Sequence, residues 1–422
     1  MKPHPPRRLF LCNATQLVTL AGGPVPRRRL SLGELGIVPH GALLTQGGSI
    51  LRVGPSRSLE REALRLRAEA IDCRGCVVMP GFVDSHTHLV FPASRVDDYE
   101  LRLRGKTYEE IAQAGGGIQS SARKLHAASL SSLRDQALNF LDQFAAYGTT
   151  TMEVKSGYGL DIEQELKILR VIRSLRKTTT LDLVPTLMAL HALPSSFRGH
   201  ADEYVREVTR RLVPAVARHR LAEFIDVFCD RGAFGVEDCR RVLVAGKQSG
   251  LIPRIHAEQL TRTGATRLGI ECGAASADHL DKLSTADIRA LARSDVVATL
   301  LPGANFHLGL KRYPPARRLI DAGAAVALAT DFNPGTSPTL NMQFVLSLAC
   351  AQMGMTPAEA ITAATLNGAG ALHRANRVGS LEAGKQADLI VLDLPDYREI
   401  PYYFAVNHCG ITVKRGQIVY TR

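Results

Sequence analysis

At 422 residues the chain is longer than a typical single domain, which leaves two domains or one large barrel with an added module. Hydrophobic residues make up 45% and charged residues 22%, enough to bury a full core, so a disordered or fibrous chain is excluded. The formal charge of +12 is partly local, with Arg7, Arg8, Arg27, Arg28 and Arg29 near the start, and no basic helix interleaved with aromatics follows; this argues against nucleic acid and for a solvated basic edge whose field gathers a small anionic substrate.

The first apolar stretch, Leu9 to Leu20, is interrupted by Asn13, Thr15 and Gln16 and makes a poor signal-peptide core. Leu11 is too bulky to precede a lipidated Cys12. No run of about eighteen apolar residues occurs, so no membrane span is expected and a cytoplasmic location is. Residues 1–78 carry turn signals around short runs such as ALLTQGGSILRVGP, the mark of β structure. Cys73 and Cys76 form a C-x-x-C without the second pair that a zinc ribbon needs, and the eight cysteines read as reduced structural thiols.

From residue 79 short apolar or β-branched runs alternate with helical patterns. The runs are GFVDSH (81–86), TTTMEVKS (149–156), LDLVPTLMA (181–189), EFIDVFCD (223–230), IPRIHAE (252–258), AASADH (274–279), VVATLLPG (296–303) and AAVALATD (324–331). Between the first runs lie SLRDQALNFLDQFAAYG, ending at Gly148, and IEQELKILRVIRSLRK, with Asp161 placed to cap it. Eight strands, each followed by a helical connection over roughly 250 residues, are what a (β/α)8 barrel requires. The insertion at 89–128, containing AGGGIQSS, is expected as a long loop on the catalytic face. That stretch lacks a G-K-[ST] ending, so a nucleotide cradle is disfavoured against a lid or close-packed loop over the substrate.

After residue 370 the β pattern returns in GSLEAGKQADLIVLD and ITVKRGQIVYTR. Neither end has enough strands to bury a face alone, so both are expected in one shared sandwich. The expected architecture is α/β: residues 1–78 and 371–422 form a small flanking β-sandwich around a TIM-type (β/α)8 barrel at 79–370.

His86 and His88, in H-x-H at the end of the first run, can point the same way, as two ligands of one metal must. Alone they could equally be hydrogen-bonded core. His256 lies at the end of the fifth run, His279 at the end of the sixth and Asp331 at the end of the eighth, and in a barrel all these ends converge on one face. The convergence favours a metal centre of His86, His88, His256 and Asp331, suited to Zn2+ or Fe2+. Such an ion brings the pKa of a bound water toward ~7, and Asp331 has a free oxygen for the proton. EFIDVFCD lacks the lysine that bridges binuclear relatives, and Lys155 on the second run reads as a charge partner, so one ion is expected.

PGFVDSHTHLVF, AGGGIQS, EVKSGYGLD, IDVFCD, DFNPGTSP and GSLEAGKQADLIVLD together resemble the imidazolonepropionases, cyclic amidohydrolases of histidine degradation. The likeness runs from about residue 70 to the C-terminus, with EVKSGYGL and ATDFNPG its most specific parts. It implies ring opening of 4-imidazolone-5-propanoate by water, giving N-formimidoyl-L-glutamate, on a barrel with a flanking sandwich and in a homodimer. It implies the same four metal ligands. It also implies that Arg95, Tyr158, His191, Gln259, Asn333, Gly335 and Thr336 contact substrate or product. Arg95 offers the forked donor that a propionate prefers. His279 is then the partner of the ring carbonyl or the water, and His191 a ring contact. Gln259 cannot act as a base, so the proton falls to Asp331 or His279.

Two other functions remain open at this point. A mononuclear aminohydrolase would deaminate a purine or pterin ring with the same ligands, but has no need of Arg95. A non-catalytic scaffold would have lost ligands, whereas all four are present.

Overall fold

A computed structural model of the chain describes residues 8–23 and 25–422; Arg7 of the basic N-terminal segment lies outside them. The eight expected runs form β1 (Phe82–Asp84), β2 (Thr149–Lys155), β3 (Asp182–Leu190), β4 (Phe224–Cys229), β5 (Ile252–Pro253 and Ile255–Ala257), β6 (Ser276–His279), β7 (Val297–Leu300) and β8 (Val326–Leu328). They pair in sequence order, all parallel. All seven positions of β2 are buried, as a strand covered on both faces demands.

β8 and β1 do not pair directly. The chain beyond each strand closes the ring: Thr87 bridges Phe332, Asp331 N–H donates to the His86 carbonyl at 3.0 Å, and His88 N–H donates to the Phe332 carbonyl at 2.8 Å. The Asp84 carboxylate reinforces this seam by accepting from Thr330 N–H at 3.1 Å and Thr330 Oγ at 2.5 Å. The barrel therefore shuts at the C-terminal ends of its strands.

The expected helices form at Leu130–Ala146 and Ile162–Thr178. Ser129 caps the first by accepting from Ser132 N–H, and Asp161 caps the second by accepting from Gln164 N–H at 2.8 Å. The insertion differs from expectation. It holds three helices, Val96–Leu103, Tyr108–Gln113 and Gly117–Ala127, and the last of them begins inside AGGGIQSS. Gly117, Ser121, Ala122 and Leu125 lie on its buried stripe, so packing on the barrel sustains a helix too short to stand alone.

Both chain ends supply one eight-stranded sheet. Leu389–Leu392 pairs antiparallel with Val77–Pro80, which pairs parallel with Leu9–Val18. Leu11, Leu17, Leu43, Val78, Leu389 and Val413 share a single apolar cluster. The edge strand Ser49–Pro55 and the turn before it also meet the loop that leads into Leu389–Leu392: Ile50 N–H donates to the Lys385 carbonyl and Ala387 N–H to the Gly48 carbonyl, both at 2.9 Å. One curled sheet thus gives the sandwich-like core. Lys414 Nζ ties it to the barrel through Asp182 at 2.7 Å. Among the described residues no helix is long and apolar enough to cross a membrane.

Candidate metal centre and substrate site

The strand ends deliver five donor side chains to the closing seam. His86 and His88 follow β1, His256 lies in β5, His279 ends β6 and Asp331 follows β8. His279 (φ 76°) and Asp331 (φ 54°) occupy the left-handed region, where a side chain leaves the strand's usual alternation and the backbone is strained.

The donor atoms fall into two triplets, each with all members within 4.8 Å of one another: His86, His88 and Asp331, and His86, His256 and His279. The four expected ligands therefore do not form one mutual group; His86 is common to both triplets, and His279 joins the second. His86 Nε2 lies 3.5 Å and His88 Nε2 3.8 Å from Asp331 Oδ1. The His86 and His256 rings are 4.6 Å apart, and those of His256 and His279 5.2 Å apart.

Carboxylates behind the rings fix which nitrogen faces inward. His86 Nδ1 meets Asp278 Oδ2 at 2.7 Å, leaving its buried Nε2 without a hydrogen bond. His256 Nδ1 meets Asp226 at 3.1 to 3.2 Å. Metal-bound histidines are oriented in this way, so the donors present fit a divalent cation. Burial first, then neighbouring positive groups, hold the imidazoles of His86, His88 and His279 well below the usual histidine range. All three are neutral at pH 7, the form that ligates metal. Burial raises the Asp331 carboxyl well above its ordinary value.

A buried ion cluster underlies these carboxylates. Lys155 Nζ donates to Glu153 and Asp226, each at 2.6 Å, and lies 3.7 Å from Asp278. Arg254, wholly buried where β5 is interrupted, donates to Asp278 at 3.2 Å and to the Ser85 carbonyl at 2.8 Å. Lys155 is the charge partner expected of it, but Glu153, Asp226, Asp278 and Arg254 were not anticipated. The signal for them was a charged residue in the middle of an apolar strand run, at Glu153, Asp226 and Asp278. Burial opposes the Asp226 anion, yet His256 and Lys155 outweigh it and hold its carboxyl below the ordinary range.

Around the cluster stand the residues assigned to the substrate. The His191 and His88 rings stack 5.3 Å apart, and Tyr158 lies 5.5 Å from His191 and 5.9 Å from His88. His191 Nδ1 donates to the Gly157 carbonyl at 2.8 Å, Nε2 carries no hydrogen bond among the described residues, and burial lowers the ring's pKa to about 4. Burial pushes the Tyr158 hydroxyl well above its ordinary value, so it stays a neutral donor. Arg95 rests against Gly335, where a Cβ would overlap its Nη1. Asn333 is spent on its own loop: Oδ1 accepts from Gly335 and Thr336 N–H, both at 2.8 Å, and Nδ2 donates to the Asp331 carbonyl and to Thr336 Oγ. Gln259 is half-buried and carries no hydrogen bond among the described residues.

The profile described as "Amidohydrolase family" matches residues 77–419. An imidazolonepropionase of Geobacillus kaustophilus is 48% identical over 416 residues, covering 98% of each chain. One from Solibacter usitatus is 46% identical over 412 residues, also covering 98% of each. Among solved structures, an adenosine deaminase from Xanthomonas campestris with bound zinc shares the fold at a TM-score of 0.71 and 19% identity, covering 99% of this chain and 93% of its own. Guanine deaminase of E. coli does so at 0.71 and 15%, covering 98% and 99%.

Proposed function

The chain belongs to the imidazolonepropionases of the amidohydrolase family, and from that membership we propose how its side chains divide the work of opening the ring of 4-imidazolone-5-propanoate with water to give N-formimidoyl-L-glutamate. One divalent ion, Zn2+ or Fe2+, would be held by His86, His88, His256 and Asp331. The observation that supports the reading is the pair of donor triplets sharing His86, whose Nε2 is buried and unsatisfied; His279 stands beside His256 in the second triplet. When bound, such an ion makes a nucleophile of water near neutral pH.

Asp331 takes the water's proton on its free oxygen and later delivers it to the leaving ring nitrogen. His279, on whose ring no carboxylate sits among the described residues, is free to polarise the ring carbonyl and steady the oxyanion. His191, through its free Nε2, and Tyr158, as a neutral phenol, contact the ring. Arg95 receives the propionate on its guanidinium fork. Gly335 gives that guanidinium a flat floor, Asn333 shapes the loop together with Thr336, and Gln259 borders the site without serving as a base.

The test is hydrolysis of 4-imidazolone-5-propanoate, made fresh from urocanate, followed by the fall of its ultraviolet absorbance with metal-loaded protein. No decay would remove this reading, and release of ammonia from a purine or pterin would replace it with the deaminase. The proposal includes a cytoplasmic homodimer, consistent with exposed Val96, Leu103, Phe306 and Phe404 on the single chain, and light scattering checks the dimer.

A further inference from the structure

We propose that Asp98 is a positioning residue for Arg95, and that the glycine run 115–117 serves to seat it. This deepens the reading above, on which Arg95 receives the substrate carboxylate. Arg95 stands immediately before helix Val96–Leu103, and Asp98 lies in that helix's first turn. Arg95 Nε donates to Asp98 Oδ2 at 2.7 Å, with the two side chains only 16% and 15% exposed. The same oxygen accepts the backbone N–H of Gly117 at 2.9 Å, where helix Gly117–Ala127 starts. One carboxylate oxygen therefore ties the arginine to the beginning of another helix.

The glycine between the two helices leaves the room that this contact needs. A Cβ on Gly116 would fall 2.8 Å from Ile111 Cγ2 and closer still to Asp98 Oδ1, so a larger residue there displaces the carboxylate. The guanidinium also rests on Gly335. It is thus gripped at Nε and supported on one side, while Nη1 and Nη2 carry no hydrogen bond among the described residues. That pair is the end-on fork that a carboxylate accepts bidentately. A fork held in place beforehand need not be ordered at each binding event, and the benefit appears as tighter substrate binding rather than faster chemistry.

The experiment measures steady-state hydrolysis of 4-imidazolone-5-propanoate by the metal-loaded full chain, for the parent, Asp98→Asn, Gly116→Ala and Arg95→Ala, with thermal unfolding of each. Asp98→Asn and Gly116→Ala are expected to raise KM about tenfold while kcat stays within about threefold. If KM is unchanged in Asp98→Asn while Arg95→Ala raises it, the inference is overturned. A fall in KM also overturns it, because Asp98 would then be tempering the arginine's charge instead of aiming it, and so does a loss confined to kcat. If Arg95→Ala leaves KM unchanged, the assignment of Arg95 itself fails, a separate result. Should Asp98→Asn not fold, Gly116→Ala decides by the same criteria.

Discussion

His86 and Asp278 meet Nδ1 to Oδ2 at 2.7 Å in a pair wholly closed to solvent. The contact fixes the imidazole's tautomer and turns Nε2 to the donor cluster, so Asp278 acts on the cation through His86. Asp278→Asn keeps the shape and removes the charge. Metal affinity is expected to fall about ten- to a hundredfold, read by titration in a chelator-buffered series. An unchanged affinity would show that His86 needs no such partner.

Lys155 is the cation shared by Glu153 and Asp226 at 2.6 Å each. Removing one partner of a buried ion pair leaves the others uncompensated. Lys155→Met should therefore cost about 3–5 kcal/mol, measured as a lower urea midpoint of the metal-free protein. A variant as stable as the parent would mean that Arg254 alone neutralises the cluster.

Asp331→Asn is expected to fold as the parent does, with the same far-ultraviolet circular dichroism, and to lose turnover by a factor of about 10²–10⁴. An active variant would move the proton's acceptor to another group, with His279 the first candidate.

Glu165 is buried and accepts the N–H groups of Gly157, Gly159 and Leu160, which shapes the loop carrying Tyr158. Burial lifts its carboxyl from 4.5 to about 6 despite those donors. The folded chain then holds a proton that the unfolded chain has released, so this group's contribution is full below pH 4.5 and is lost as pH rises to about 6. Glu165→Gln cannot titrate, and its stability should vary less with pH across that window. Parallel urea-midpoint curves for the two proteins would count against the assignment.

Much of this was written in the sequence because burial on both faces makes a strand an unbroken apolar run. β3 stands out for that reason, and the polar residues ending such runs, His86, His279 and Asp331, announce the catalytic end. The helices of the insertion were hidden because each is short and draws its stability from contacts with distant chain. The ion cluster was hidden too. Glu153, Lys155 and Asp226 interrupt apolar runs, and only the packed barrel shows them paired to one another. Asn333 illustrates a further limit: its amide is consumed within its own loop, which depends on a local turn that spacing does not report.

The bonds that complete the ring run through His86, His88 and Asp331 themselves. Three of the donors offered to an ion are thus held by the closure of the barrel itself. A nascent or partly unravelled chain that has laid down its earlier strands but not come full circle cannot gather these donors. The seam that closes the ring and the cradle offered to a cation are therefore built from the same residues.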